Sequence, residues 1–345
     1  MIYLICQDWA NTSNNHAGMK YLCNKLQEKY PEYYKNYVID DYYQGFPSNI
    51  VRRKIHSYTS MYKYKKRLKE IFRQLSRLIQ QGDKVFLMEY MERLTPQLYL
   101  AKKLKQRFPN LSLYGLIHLV PEKLESSFSK NEFNEWTSHV DKIMTLGSSL
   151  TSYLINKGVL KEKIITSFHY VDNDYYKSNN AIESKKIIQV IAMGNQMRNV
   201  YLLQQIVRSL PSVQFTICQG VGDMRKEFEN CHNVNLIPFI PEDELKRYME
   251  GADVSLNVMK DTIGSNVIVT SMSMGLAMVC SDVGSIRDYC TKDNCIFCDN
   301  DVDSFTKGIK RLLLYPQELQ FMKKNSILMS RRFSIEQFHN ILNIC

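Results

Sequence analysis

The feature that most constrains this chain is the regular alternation of short, β-rich apolar runs with stretches of helical periodicity. Such alternation is typical of α/β folds with largely parallel sheets, because each strand needs a crossover before the next parallel one. The runs fall into two consecutive series, which predicts two Rossmann-like halves. The predicted strands are Ile2–Cys6, Tyr37–Ile39, Lys84–Met88, Leu111–Ile117 and Lys142–Leu146, then Ile187–Ala192, Val213–Cys218, Val234–Ile237, Val254–Val258, Ala277–Ser281 and Cys295–Cys298.

The length of 345 residues also favours two domains, each able to bury its own core. A polar stretch (DNDYYKSNNAIESKK) separates the two series and is predicted to contain the linker. Two such domains are expected to enclose a deep cleft at the carboxyl ends of both sheets, where ligands of α/β sheets bind. The predicted parts are an N-terminal domain at 1–172, a linker at 173–186, a C-terminal domain at 187–330, and a final helix at about 331–345 that packs back on the first domain.

The positive charge of the chain is concentrated in one segment. The net charge is +10, yet eleven of the basic residues and only two acids lie between Val51 and Lys84. Apolar residues recur every three or four positions from Met61 to Ile79, which predicts an amphipathic helix. It is either a core-packed helix with a solvated basic face or a surface that meets anionic lipid, and nucleic acid is disfavoured because no recognised binding module accompanies it. The predicted membrane-facing cations are Arg52, Arg53, Lys63, Lys65, Lys66 and Arg67.

Cysteine usage and the N-terminus bear on the compartment. The nine cysteines are an odd, scattered set, and the chain starts without a basic n-region or a long apolar run. We therefore expect free thiols and a cytoplasmic protein that lies peripherally on the inner face of the membrane. A single C-x-x-C, Cys295 to Cys298, falls within a predicted strand, so no metal site is expected.

In the second half, polar and glycine-containing loops follow the predicted strands. The turn from Met193 to Asn199 places Arg198 at the start of a helix, where backbone N–H groups and a planar guanidinium suit a diphosphate. An ordinary strand-to-helix turn with a solvated arginine is the alternative. Farther on, Gly264 and a capping Ser265 open a helix of small residues, whose N-terminus is a second candidate anion site.

The segment from Asp261 to Gly284 resembles the GT-B glycosyltransferases of glycosyltransferase family 4, a retaining family that includes bacterial polysaccharide and lipopolysaccharide enzymes. Three further stretches resemble family motifs in the expected order: His16–Met19, Phe168–Asp172 and Met193–Asn199. The residues that match the main motif in register are Ser265-Asn266, Met272, Gly275-Leu276, Val279 and Asp282-Val283-Gly284.

This resemblance implies a GT-B fold and transfer of a sugar, most simply a hexose, from a nucleotide-diphosphate donor to a lipid-linked or polysaccharide acceptor. It implies retention, no metal and no cofactor besides the donor. At the two positions of the family glutamates this chain has Thr262 and Thr270, and Asp261 is expected to replace the first carboxylate. A catalytically inactive GT-B-like binding subunit and, more remotely, a nucleotide-sugar epimerase remain alternatives.

The resemblance also assigns candidate roles to individual residues. His118, at the end of a predicted strand, and Asp261 are the candidate catalytic residues, with a structural role as the alternative for His118. Glu89 and His16 are expected on the acceptor side. A solvated loop carboxylate is the alternative for Glu89. The candidate donor-binding residues are Gly18, Asn195, Arg198, Gly220, Thr262, Gly264, Ser265, Asn266, Val267 and Thr270.

Overall fold

The computed structural model describes residues 1–12, 14–45, 47–178, 188–220 and 222–345. The chain forms two compact units, Met1–Phe168 and His169–Cys345. Each unit is built on a six-stranded sheet in which all neighbouring strands run parallel. The predicted α/β class with two Rossmann-like halves is therefore confirmed.

The first sheet consists of β1 (Ile2–Asp8), β2 (Tyr34–Asp40), β3 (Lys84–Tyr90), β4 (Ser112–Ile117), β5 (Lys142–Thr145) and β6 (Ile164–Thr166). Their order in space is β2-β1-β3-β4-β5-β6. The chain goes from β1 to β2 on one side and returns with β3 on the other, so the switch point lies between β1 and β3. Ligands of such sheets bind outside the carboxyl ends of the strands at that point. Strand β6 was missed by the sequence prediction: it has only three residues, none of them fully buried.

The helices of the first unit are α1 (Met19–Lys29), α2 (Ile50–Leu78), α3 (Gln97–Arg107), α4 (Pro121–Ser127), α5 (Lys130–Ser138), α6 (Ser148–Asn156) and the 3-10 helix Lys161–Lys163. Helix α2 starts well before the predicted apolar stripe at Met61. Its N-cap is Asn49, whose side chain accepts hydrogen bonds from the backbone N–H groups of Val51 and Arg52 at 3.0 and 3.2 Å. Such a cap satisfies donors of the first turn that have no partner in the helix, which fixes the start of α2.

The second sheet consists of β7 (Gln189–Ala192), β8 (Gln214–Cys218), β9 (Val234–Ile237), β10 (Val254–Asn257), β11 (Ala277–Ser281) and β12 (Cys295–Cys298). Its order is β12-β11-β10-β7-β8-β9, so the switch point of this sheet lies between β7 and β10. The helices are α7 (Val200–Arg208), α8 (Arg225–Phe228), α9 (Glu242–Gly251), α10 (Asn266–Ser273), α11 (Ile286–Tyr289), α12 (Val302–Leu314), α13 (Pro316–Ser330), the 3-10 helix Arg331–Phe333 and α14 (Ile335–Ile344).

The small residues of α10 let this helix approach the sheet closely, as its composition suggests. The hydroxyl groups of Ser271 on α10 and Ser255 on β10 are fully buried and lie 2.9 Å apart. On α7, Ile206 and Val207 pack into the same core as Phe215 of β8. The helices that follow β7 and β10 are thus held firmly by apolar burial, which contributes roughly 25 cal/mol per Å² of apolar surface removed from water.

The region of the predicted linker is described only in part. Residues 179–187 lie outside the described residues, and residues 169–178 are counted with the second unit. There the side-chain amide of Asn173 donates to Ser273 and Ser330, at 2.9 and 3.0 Å. Helix α14 is also counted with the second unit, so its packing on the first domain stays a prediction.

Two further observations concern predictions about the compartment. All nine cysteines are free thiols, and eight of them are buried. Among the described residues, no helix combines the length and the apolar character that crossing a bilayer requires.

Candidate functional site

The loops that follow β7 and β10 meet at the switch point of the second sheet. The backbone N–H of Asn199 donates to the carbonyl of Val258 at 2.9 Å, and that of Lys260 donates to Met197 at 2.8 Å. These two hydrogen bonds join the loops across adjacent strands. The loop that the sequence assigned to a diphosphate is therefore part of the edge where such sheets bind ligands.

A second contact brings the N-termini of α7 and α10 to this same edge. Gly194 has a φ of +77°, and a Cβ there would lie 3.0 Å from Val267 Cγ2 in the first turn of α10. Helix α10 is capped by Ser265, whose Oγ accepts from the N–H of Ile268 at 3.3 Å. The partial positive charges of two helix N-termini thus converge on one edge of the sheet, which favours an anionic ligand.

Arg198 lies between these loops and β8. Its Nη1 donates to the carbonyl of Cys218 at 3.3 Å and contacts Met224 Sδ at 3.8 Å. Its Nη2 is buried and has no hydrogen-bond partner among the residues that the structure describes. Burial lowers the pKa of Arg198 to about 10, and no described carboxylate contributes to that pKa. The guanidinium is therefore charged at neutral pH and uncompensated, an arrangement that a bound anion would stabilise.

Asn195 and Gly220 lie against each other beside this arginine. Gly220 follows β8, has a φ of +63°, and would place a Cβ only 2.5 Å from Asn195 Oδ1. Three candidate donor residues, Asn195, Arg198 and Gly220, are thus brought together from the loops after two neighbouring strands. The glycine is required both by its left-handed backbone and by the asparagine that occupies the space of a side chain.

The loop after β10 holds the residues at the first glutamate position. Asp261 Oδ1 accepts from the N–H of Thr262 at 2.7 Å, and Thr262 Oγ1 accepts from the N–H of Gly264 at 3.1 Å. Thr262 is buried, and this hydrogen bond of its hydroxyl oxygen lies within its own loop. At the second glutamate position, the Thr270 hydroxyl donates to the carbonyl of Asn266 at 2.6 Å, which leaves it only acceptor capacity toward a ligand.

Gly264 allows Tyr289 to pack directly on this loop. Gly264 has a φ of +99°, and a Cβ there would lie 2.1 Å from the Tyr289 hydroxyl oxygen, which accepts from the N–H of His169 at 2.8 Å. We expect Gly264→Ala to lower the free energy of unfolding by about 3 kcal/mol, because it adds a clash to a strained backbone. Urea unfolding measures this change.

The matched control is Gly222→Ala in the loop after β8, where a Cβ would make an ordinary 3.4 Å contact with the Gln219 carbonyl. We expect a change within about 0.5 kcal/mol, since the substitution is on the surface and free of a clash. Equal effects of the two substitutions would contradict the packing described for Tyr289.

In the first unit, Glu89 lies at the carboxyl end of β3 and is 4% exposed. Its Oε2 accepts from the N–H of Gln7 at 3.0 Å and from the side-chain amide of Gln97 at 3.5 Å, while its Oε1 has no hydrogen-bond partner within the described ranges. Desolvation raises the pKa of Glu89 to about 8, although the hydrogen bonds from Gln7 and Gln97 lower it. The alternative of a solvated loop carboxylate is therefore wrong: the buried strand end makes Glu89 a largely protonated acid at neutral pH.

His118 follows β4, the strand next to β3. Its Nε2 lies 2.7 Å from the carbonyl of Met88, and because a carbonyl only accepts, Nε2 carries the proton. Burial lowers the pKa of His118 to about 4, so the ring is neutral at physiological pH. Glu89 and His118 thus end adjacent strands beside the switch point of the first sheet.

His16 and Gly18 lie in the loop between β1 and α1. The His16 ring is 4.6 Å from the Tyr21 ring, and Gly18 is the N-cap of α1. A Cβ at Gly18 would meet the Thr12 carbonyl at 2.8 Å, so this tight turn requires glycine. The predicted site residues are therefore divided between the units: Gly18, His16, Glu89 and His118 belong to the first and the other candidates to the second.

Several residues of these sites were not identified from the sequence. Tyr289 packs on the Gly264 loop of the second unit, and Gln7 and Gln97 donate hydrogen bonds to Glu89 in the first. Gln7 carried a detectable signal, since a polar residue near the end of a buried strand in an α/β sheet marks a ligand-binding edge. The others depend on contacts between distant residues.

Of the predicted membrane cations, five are exposed on α2 and one is not. Arg67 is half-buried, donates to the carbonyl of Val38 at 3.3 Å and lies 3.6 Å from Glu70. It is therefore tied to β2 and its own helix. In the described part of the chain, no group of three or more His, Cys, Asp or Glu is placed to hold a metal ion, and independence from metal stays a prediction.

Residues 185–314 match the sequence model of a protein family described as glycosyl transferases group 1. The matched residues include all six strands of the second sheet and the Arg198 loop. The match thus lies within the second unit and shows a likeness to that family over this part of the chain. No curated protein matches the chain in sequence.

Solved structures share the fold over the whole chain. Sucrose-phosphate synthase from Thermosynechococcus elongatus is 13% identical with a TM-score of 0.74, and the match covers 99% of this chain and 96% of that one. HepE from Anabaena, solved with UDP, is 13% identical with a TM-score of 0.72 and complete coverage of both chains. The lipopolysaccharide outer core galactosyltransferase WaaB is 12% identical with a TM-score of 0.65, covering 99% and 98%. The predicted GT-B fold is thus confirmed.

Proposed function

We propose that this chain, a GT-B fold with a likeness to glycosyl transferases group 1 over part of its length, is a glycosyltransferase that moves a sugar from a nucleotide-diphosphate donor to an acceptor hydroxyl. The family match and the fold support this reaction class. HepE of Anabaena was solved with UDP and with UDP-glucose, which makes a uridine diphosphate sugar the first donor to test. Transfer of a hexose is the form of the reaction that we propose.

The observation that carries the proposal is the uncompensated guanidinium of Arg198 at the switch point of the second sheet. Its buried Nη2 has no hydrogen-bond partner in the described part of the chain, and the N-termini of α7 and α10 lie on the same edge. A diphosphate supplies both the negative charge and the acceptor oxygens that this arrangement lacks.

These groups also suit the chemistry of the transfer. When the bond between the anomeric carbon and the diphosphate oxygen breaks, the leaving group gains negative charge and the sugar gains oxocarbenium character. Arg198 and the two helix N-termini are positioned to stabilise that charge, which is a large contribution to catalysis of this kind. We propose that the reaction proceeds with retention and without a metal ion, the acceptor hydroxyl giving its proton to the departing diphosphate.

On the acceptor side we propose the neutral imidazole of His118 and the protonated Glu89. With Nε2 bonded to the Met88 carbonyl, His118 is held in one tautomer. We propose that the acceptor is a lipid-linked or polysaccharide glycan, and that Asp261 orients the donor sugar in place of the family glutamate. The enzyme would then act in the cytoplasm, on the inner face of the membrane, in polysaccharide biosynthesis.

The two threonines favour a second candidate, a GT-B-like subunit that binds a nucleotide sugar or glycan without turnover. Thr262 accepts a hydrogen bond within its own loop, and Thr270 donates to its own helix. A hydroxyl supplies no charge toward the donor, whereas a carboxylate would.

A panel of nucleotide sugars tests both candidates. We expect UDP and one UDP-hexose to raise the melting temperature, and acceptor-dependent release of UDP to accompany a product whose mass is larger by one sugar. Stabilisation without release over a panel of glycan and lipid-linked acceptors would favour the binding subunit. Absence of any stabilisation by nucleotides would contradict both.

A further inference from the structure

Helix α2 has two unlike halves. Along its second half, Tyr64, Leu68, Ile71 and Leu75 are fully buried and attach the helix to the first unit. In the first half, from Ile50 to Thr59, every side chain except that of His56 is exposed. The beginning of this 29-residue helix is therefore open to solvent on nearly all sides.

The outward side of the first half carries an apolar stripe. Val51, Ile55, Tyr58 and Tyr62 are 65%, 59%, 77% and 65% exposed. Their spacing of four, three and four residues puts them on one face, about 150° around the helix from Tyr64 at 3.6 residues per turn. Four large apolar side chains at helical spacing on an exposed face indicate an interaction surface, because soluble surfaces rarely gather them in this way.

Cations continue and border this stripe. Lys65, Lys66, Lys69 and Arg73 are exposed and extend the same outward side along the second half of α2. The stripe itself is flanked by three further exposed cations: Arg52, Lys54 and Lys63. The one acid in the helix sequence, Glu70, lies beside Arg67. The outward side thus joins an apolar patch to an uninterrupted positive patch.

We propose that this outward side of α2, residues 51–73, is a docking surface for a bilayer of anionic phospholipid. Valine, isoleucine and two tyrosines suit the boundary between headgroups and acyl chains, and lysines beside them suit lipid phosphates. A nucleic acid would leave the apolar stripe without a partner. A second copy of the same face would place like charges together. The surface lies wholly in the first unit and does not depend on the proposed donor site.

Co-sedimentation of the full chain with vesicles tests the proposal. We expect binding to an equal mixture of phosphatidylcholine and phosphatidylglycerol, and little binding to phosphatidylcholine alone. Lys65→Gln, Lys66→Gln and Lys69→Gln together are expected to weaken binding by about 100-fold, at roughly fivefold for each cation. Tyr58→Ser with Tyr62→Ser is expected to weaken it by about tenfold and to leave its dependence on salt intact.

The matched controls remove the same number of exposed cations and of exposed aromatic rings as the α2 variants, but from the second unit. Lys292→Gln, Lys310→Gln and Lys324→Gln remove three exposed cations from the second unit, and Tyr315→Ser with Phe321→Ser removes two exposed aromatic rings there. We expect these controls to bind vesicles like the wild type. Unchanged far-ultraviolet circular dichroism and an unchanged midpoint of urea unfolding would show that the α2 variants are folded.

Three results would overturn the proposal. One is equal loss of vesicle binding in the α2 variants and in their controls. Another is a particle mass, measured by light scattering, that falls from dimer to monomer in the tyrosine variant, which would assign the stripe to self-association. The third is tighter binding to duplex nucleic acid than to anionic vesicles at the same salt concentration.

Discussion

Replacing Arg198 with methionine is expected to weaken the binding of UDP by about 100-fold, because a diphosphate that loses a charged, two-pronged hydrogen bond loses roughly 3 kcal/mol. The same change is expected to raise the free energy of unfolding of the ligand-free protein by about 1 kcal/mol, since it removes a buried charge without a counter-ion. Affinity and stability therefore change in opposite directions. Calorimetric titration with UDP and urea unfolding without UDP measure the two effects.

Two further variants sharpen this prediction. Arg198→Lys keeps the charge but has no planar fork, so an affinity about tenfold below the wild type is expected. Lys260→Met removes an exposed cation from the adjoining loop and serves as the matched control, with changes within about twofold. If Arg198→Met instead lowered stability and left UDP binding unchanged, the arginine would be a structural link to Cys218.

Glu89→Gln is expected to remove a large dependence of stability on pH. The folded protein holds the Glu89 proton up to about pH 8, whereas the unfolded chain releases it near pH 4.5. Between these values the folded state binds more protons, so the free energy of unfolding falls as the pH rises. The loss approaches about 5 kcal/mol above pH 8 as an upper bound, and the glutamine variant should lack it.

Melting temperatures between pH 5 and 9 check this expectation. The variant should be more stable than the wild type at pH 9 and close to it at pH 5. His118, whose lowered pKa of about 4 costs stability in acid, contributes equally to both proteins and cancels in the comparison. Glu122→Gln, at an exposed position in the first turn of α4, is the control. Parallel curves for wild type and Glu89→Gln would contradict a protonated Glu89.

The sequence was most informative where the pattern is local. Alternating strand and helix patterns predicted both parallel sheets, and a strand followed by Gly194 and Arg198 predicted an anion-binding turn at a helix start. The sheets and the place of this turn between a strand and a helix were predicted correctly, because strand ends, caps and turns depend on neighbouring residues, whereas anion binding there stays a prediction. Strand β6 shows the limit, since its three residues, none of them fully buried, gain their strand conformation from pairing with β5.

Contacts between residues that are distant in the sequence cannot be predicted from local sequence patterns. Glu89 is buried because Gln7 and Gln97 close over it, and neither spacing has a motif. The sequence located the basic segment and suggested that Tyr58, Tyr62 or Tyr64 reaches a membrane interface, yet Tyr64 is buried. Val51 and Ile55 were missed, because the apolar pattern that anchors the helix starts at Met61. Helix α2 carries one apolar pattern that is buried and one that is exposed, and the sequence alone does not determine which of the two faces the core.

The two hydrogen bonds that join the loops after β7 and β10 run between backbone groups only. They fix the Arg198 loop when the chain folds, so that binding does not have to order it, and the site is preorganised. Because no side chain takes part, the two hydrogen bonds themselves do not depend on the side chains of Met197, Val258 and Lys260. Sequence can therefore drift far while the geometry around the arginine persists, which fits a fold shared at 13% identity with sucrose-phosphate synthase.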